Sequence, residues 1–279
     1  MSGARGALQW RLLLLWTLGL LLPTAVVTLP LWLTLAQMFD HVVPASAWAQ
    51  QFNGLELDGF APLLAHAGAL QGAGLAGGLL ALALSPWLTG MVIACGRRRE
   101  PLDFAALLLG GLREYGRMLR VMLWAMLPLA LALLVALVAL GTAYNHAAQA
   151  LLEAQANSAY RWAWWIAGSV FVLFHVVIET GRAQFIADAS LRSAWHALGR
   201  GLDMLLHRPL ASLGIYLGTS LIGYALLLGL IAWRVQVIAA SVPAFIGACL
   251  LVQLMVLVLA WMRSARLLGL AKLAQPTAA

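Results

Sequence analysis

The sequence predicts an all-α polytopic membrane protein, with six transmembrane helices and two amphipathic helices on one side of the bilayer. The first observation is compositional. The chain is 63% apolar and 10% charged, whereas a soluble domain is about half apolar and about a quarter charged. The second is the arrangement of those residues in six uncharged apolar runs, at 12–37, 69–95, 121–140, 162–178, 210–233 and 235–262. Roughly 20 such residues cross the hydrocarbon as a helix, with about 17 as the short limit. The third is the placement of charge. Of the seventeen Lys and Arg residues, only Arg161 and Arg234 fall on the side opposite the N-terminus. A lipid-exposed backbone must satisfy its own hydrogen bonds, which favours helices. The alternation of a barrel strand is missing from the runs.

The first run follows Arg5 and Arg11 and contains Pro23 and Pro30. It exceeds the 7–15 residues of a signal-peptide core and is expected to be an uncleaved span, kinked at its prolines. The segment after it carries Asp40, Glu56 and Asp58 and no Lys or Arg. Trp48, Phe52 and Leu55 have the spacing of a short surface helix. The second run opens with Gly68, Gly72, Gly74 and Gly78, which suit close helix packing.

Between the second and third runs lies CGRRREPLDFAALLLGGLREYGRMLR, Cys95 to Arg120. Pro101 is placed in the first turn of a helix over about 101–119. Phe104, Leu108, Leu112, Tyr115 and Leu119 form one face, and Arg113, Arg117 and Arg120 fall on another. This is the pattern of a helix lying in the membrane interface. The third run, with Pro128 inside it, leads to a polar loop holding Asn145, His146, Glu153 and Asn157. Trp162, Trp164 and Trp165 open the fourth run as an aromatic belt.

The fourth run ends at His175, Glu179 and Arg182. A second amphipathic segment follows over about 189–207, with Leu191, Trp195, Leu198, Leu202 and Leu205 on one face. Arg192, His196, Arg200, Asp203 and His207 form the other. The fifth run carries Gly214 and Gly218, a short link around Arg234 leads to the sixth, and a tail holds Arg263, Arg266 and Lys272. At an offset of ninety residues Gly111-Leu112 falls on Gly201-Leu202, a weak internal repeat of span, amphipathic segment and span.

The bias of Arg and Lys places both termini and both amphipathic segments in the cytoplasm. Topology therefore accounts for the net charge of +7 better than nucleic acid does, and no nucleic-acid partner is expected. Cys95 and Cys249 lie at different depths, which argues against a disulfide.

This layout is familiar. Six spans with cytoplasmic elbow helices after the second and fourth, and the words AWHALGRGLDMLLHRPLASLGIYLG from Ala194 to Gly218, resemble poorly characterised bacterial inner-membrane proteins. Among these are YciC-like proteins and the membrane domain of some glycerophosphoryl diester phosphodiesterases. The resemblance implies residence in a bacterial inner membrane. It does not carry over the phosphodiesterase activity, whose soluble domain is absent here.

The chain contains no GxSxG, HExxH, CxxC or GxxxxGK[ST], so no enzyme activity and no cofactor is expected. Asp40, His41, Glu56, Asp58, His66, His146 and Glu153 match no ligand spacing, and no metal is expected. His175 and Glu179 are the candidate intramembrane polar pair. Arg113, Arg117, Arg120, Arg192, Arg200 and Arg208 are the candidate contacts for anionic lipid head groups. The expected function is a non-enzymatic accessory, scaffold or lipid-contacting component, with membrane-protein partners or a homo-oligomer as further contacts. The alternative is a permease or the membrane subunit of a transporter for a small molecule or lipid. Gly-lined helices and Pro23, Pro86, Pro128 and Pro243 keep that alternative open.

Overall fold

Seven α-helices and no strand are found among the described residues, which in this computed structural model are 9–39, 68–98, 100–150, 152–237 and 241–275. They are α1 (Trp10–Phe39), α2 (Gly68–Gly96), α3 (Phe104–Gln149), α4 (Glu153–Ala187), α5 (Ala194–His207), α6 (Pro209–Gln236) and α7 (Val242–Ala274). All but α5 are long and apolar enough to cross a membrane. The chain is a multi-pass integral membrane protein. The expected surface helix around Trp48, Phe52 and Leu55 lies outside the described residues, as do five of the seven loop residues weighed for a metal.

The helices extend past the apolar runs, because a polar residue does not by itself end a helix. Asn145, His146 and Gln149 continue α3, and α4 begins at Glu153, so only residues 150–152 separate them. The expected twenty-residue polar loop is thus mostly helix. The sixth span likewise runs to Ala274, and the expected tail with Arg263 and Arg266 is helical.

The two amphipathic segments end differently. The first is continuous with the third span in a single helix of 46 residues, roughly 69 Å at about 1.5 Å per residue. Its Asp103 caps the N-terminus by accepting from the Ala106 N–H at 2.7 Å, so Pro101 precedes the helix and is not in its first turn. The second segment is a separate helix. Ser193 caps it, accepting from the His196 N–H, and Pro209 starts α6 afresh. Proline has no N–H to continue a helix and restricts the residue before it. Arg208 accordingly sits at φ −133°, ψ 58°. Leu119, ninety residues before Pro209, imposes no such break. Pro243 also lies in the first turn of its helix.

The well-packed core occupies one end of the bundle, the end carrying the basic segments. It joins Leu12 and Trp16 of α1, Leu88 to Cys95 of α2, Leu107 and Met118 of α3, Ala183 to Ile186 of α4, Ala194 and Ala197 of α5 and Ala260 to Ala271 of α7. Towards the far end, burial falls largely to small residues, among them Ala132 and Ala143 of α3, Ala163 and Ala167 of α4 and Ala248 of α7. Of the α2 glycines, Gly77 packs on Val27 and Pro23 of α1. Gly68, Gly72, Gly74 and Gly78 face open space, as do Gly214 and Gly218. Their expected packing role is not met among the described residues. Cys95 is buried, Cys249 is exposed and both are free.

The internal repeat has a structural counterpart. The caps Asp103 and Ser193 are ninety residues apart, and so are the buried pairs Leu107 and Ala197, Gly111 and Gly201, and Glu114 and Met204.

Candidate functional site

The last turns of α4 lie at the centre of the basic end, where three charged networks meet. The first fastens α2 and α3 to α4. Arg97 donates to the Glu114 carboxylate at 2.6 Å, and through Nε and Nη2 to the Phe185 carbonyl at 2.9 and 2.6 Å. Phe185 is in the last turn of α4, where carbonyls lack partners within the helix and a cation complements the helix dipole. Arg117 also binds Glu114, at 3.1 Å. Glu114 is 7% exposed.

The second network is buried among α1, α4, α6 and α7. Glu179, 3% exposed, accepts from Arg182 at 2.8 Å and faces Arg266 Nε at 3.5 Å. Arg266 donates to Ser220 Oγ at 3.2 Å and lies 4.7 Å over the Tyr216 ring. The Tyr216 hydroxyl is 2.8 Å from His175 Nδ1, and the His175 ring stacks on Phe171. Arg263 lies over the Trp16 ring at 5.8 Å. His175 and Glu179 therefore share a helix face but take different partners: a phenol for the histidine, guanidiniums for the carboxylate.

The third network is exposed and sets the turn from α4 to α5. Asp188 accepts from the Ser190 N–H at 2.9 Å, the Ser190 hydroxyl at 2.6 Å and Arg200 at 2.8 Å. These bonds, those from Ser190 first, hold its carboxyl down at about 2, below the ordinary value of 3.8.

The expected lipid-contacting arginines divide. Arg117 and Arg200 are engaged in the ion pairs just described, while Arg113, Arg120, Arg192 and Arg208 are exposed. Among the described residues Arg120 bonds only along its own helix, to the Gly116 carbonyl at 3.0 Å. The helices form an apolar groove of about 360 Å³. Trp124 and Pro128 of α3, Phe174 and Val177 of α4, and Trp195 and Leu202 of α5 line it. Trp124 and Trp195 meet across its edge with ring centroids 5.2 Å apart.

Sequence reasoning missed the roles of Arg97, Arg263 and Arg266. The three-residue spacing of Arg263 and Arg266, beside buried Leu267 and Leu270, was the available signal for the last two. Nothing local announces that Arg97 reaches α4. Among the described residues, no group of three or more His, Cys, Asp or Glu is placed to hold a metal. No family model, curated protein or solved structure matches this chain.

Proposed function

We propose that the protein is a non-enzymatic, lipid-contacting component of a bacterial cytoplasmic membrane, with both termini cytoplasmic, that seats an anionic phospholipid at its basic end. The observation that carries this reading is the groove between α3, α4 and α5, together with exposed arginines close in sequence to its lining residues. Arg120 is one turn before Trp124, and Arg192 is three residues before Trp195. An acyl chain suits the apolar walls. Arginine stems lie along apolar surface while their heads reach water and phosphate. Basic residues just outside the hydrocarbon attract anionic lipid by about 1 kcal/mol each. The ion pairs of Arg117 and Arg200 make those two residues structural members of this seat.

The test is native mass spectrometry of wild type and of a variant with Arg113→Gln, Arg120→Gln and Arg192→Gln, both extracted from the same membrane. The variant should retain less anionic phospholipid and an unchanged amount of zwitterionic phospholipid. Equal retention of anionic lipid in the two proteins would overturn the reading.

A further inference from the structure

At the far end of α3 and α4 two open spaces adjoin at one tryptophan. The larger is a groove of about 610 Å³ lined by Arg161, Trp162, Trp165 and Ser169 of α4. Arg161, Trp165 and Ser169 follow one another at four-residue steps and form one stripe along the helix, roughly 12 Å long at about 1.5 Å per residue. The smaller is a cleft of about 200 Å³ between the two helices. Ala139 and Ala143 of α3 and Ala159 and Ala163 of α4 line it, and Trp162 is the wall it shares with the groove. The cleft is graded in polarity. His146 lines its outer mouth, while Ala139 and Ile166 lie at its inner end.

Arg161 directly precedes the apolar run that begins at Trp162. That position sets its guanidinium at head-group level, beside the exposed rings of Trp162 and Trp165. No hydrogen bond or ion pair holds Arg161 among the described residues. No Asp or Glu among them lines either space.

Charge and size select the occupant. One unpaired guanidinium complements one phosphodiester monoanion, whereas an ammonium-bearing head group finds no carboxylate to answer its second charge. One turn of a helix, about 5.4 Å long and about 10 Å across, fills roughly 400 Å³, twice the cleft. An acyl chain fits where a partner's helix does not.

We propose that this groove and cleft seat one anionic phospholipid of the leaflet opposite the basic end, its phosphate on Arg161 and an acyl chain between the alanine faces of α3 and α4. The seat is distinct from the one at the basic end and does not depend on it. Pro128 and Ala139 on α3, and Phe174 and Ala163 on α4, are each eleven residues apart, about three turns. Both seats therefore open on the same side of the α3–α4 pair.

The full chain is stripped of lipid in neutral detergent and titrated with phosphatidylglycerol, and bound lipids are counted by native mass spectrometry. Arg161→Gln should weaken phosphatidylglycerol binding about fivefold, the equivalent of about 1 kcal/mol for one basic residue. Arg161→Lys should keep most of it. Ala139→Leu fills the cleft without touching the charge and should weaken binding as well. Phosphatidylethanolamine binding should change little in Arg161→Gln. The same fivefold loss should appear when Arg161→Gln is added to Arg113→Gln, Arg120→Gln and Arg192→Gln. Loss from the triple change alone overturns this seat and leaves the basic-end seat standing; loss from Arg161→Gln alone does the reverse. An equal loss of phosphatidylethanolamine, the mark of unselective annular lipid, overturns the proposal. So does a dimer that Arg161→Gln dissociates, which would give the groove to a second copy of the chain.

Discussion

Gly181 and Gly201 meet backbone to backbone: a Cβ on Gly201 would stand 2.8 Å from the Cα of Gly181. The same relationship joins Gly90 to Gly111, where a Cβ on Gly90 would stand 2.8 Å from the Gly111 carbonyl oxygen. At both places a span crosses the amphipathic helix that follows it, and glycine lets the two backbones touch. The repeat is thus a repeat of crossings, built on positions where a side chain has no room.

Gly201→Val should destabilise the protein by about 1–3 kcal/mol, the usual range for forcing atoms into packed space. Gly199→Ala is the control. A Cβ there meets nothing within 4 Å, and alanine is the better helix former by about 1 kcal/mol. Thermal melting of both variants in one detergent checks the contrast. Equal losses would show that the crossing is not tight.

Glu179→Gln removes the carboxylate between Arg182 and Arg266 and leaves two guanidiniums without their partner. Breaking a buried pair from one side costs about 3–5 kcal/mol. The variant should unfold at markedly lower denaturant. His175→Gln removes the hydrogen bond with Tyr216 and the ring stacking on Phe171, and losing the hydrogen bond costs about 1–3 kcal/mol if the phenol is left unpaired. Denaturant titration followed by tryptophan fluorescence would rank the two, and a smaller loss for Glu179→Gln would refute the account.

Asp188 provides a pH test. Its folded-state value of about 2 lies below the ordinary 3.8, so the folded protein holds the charged form more tightly than the unfolded chain does. Its contribution is fully present above the ordinary value and is lost as pH falls through about 2. The melting-temperature difference between wild type and Asp188→Asn should be constant from neutral pH to about 5 and vanish near pH 2. A difference that grows on acidification would contradict this.

The proposed orientation is checked with single cysteines in a background lacking Cys95 and Cys249. Asn157 and Gln236 are exposed near the far helix ends, and Arg98 and Gln275 are exposed at the basic end. An impermeant thiol reagent added to intact cells should label cysteine at the first pair and spare the second. Labelling of the second pair alone would invert the topology.

Spans were legible because hydrocarbon demands a composition, and composition is visible without knowing any contact. Their ends were less so. The apolar run ending at Leu140 stops well before α3 does, since Asn145 and His146 are compatible with helix. The face expected on the second amphipathic segment was only partly right. Trp195 and Leu202 are exposed, but Leu191 and Leu205 are buried. The helix buries the smaller residues Ala194, Ala197 and Gly201 as well, a face that hydrophobicity alone underweights. His175 and Glu179 were visible as ionisable groups in an apolar run. Their partners Tyr216 and Arg266 were not, because those come from α6 and α7 and only tertiary packing brings them near. The pairing of Arg97 with Glu114 was hidden in the same way by the turn between α2 and α3.

The confinement of the tight core to one end has a mechanical consequence. Near that end, interlocked side chains and ion pairs fix the helix positions. Towards the other, exposed leucines such as Leu79, Leu133, Leu228 and Leu250 meet acyl chains. Among the described residues the helices there meet largely through small side chains. The described helices are held in register most firmly at one end, and changes in chain length or unsaturation of the surrounding lipids are expected to act first on the other.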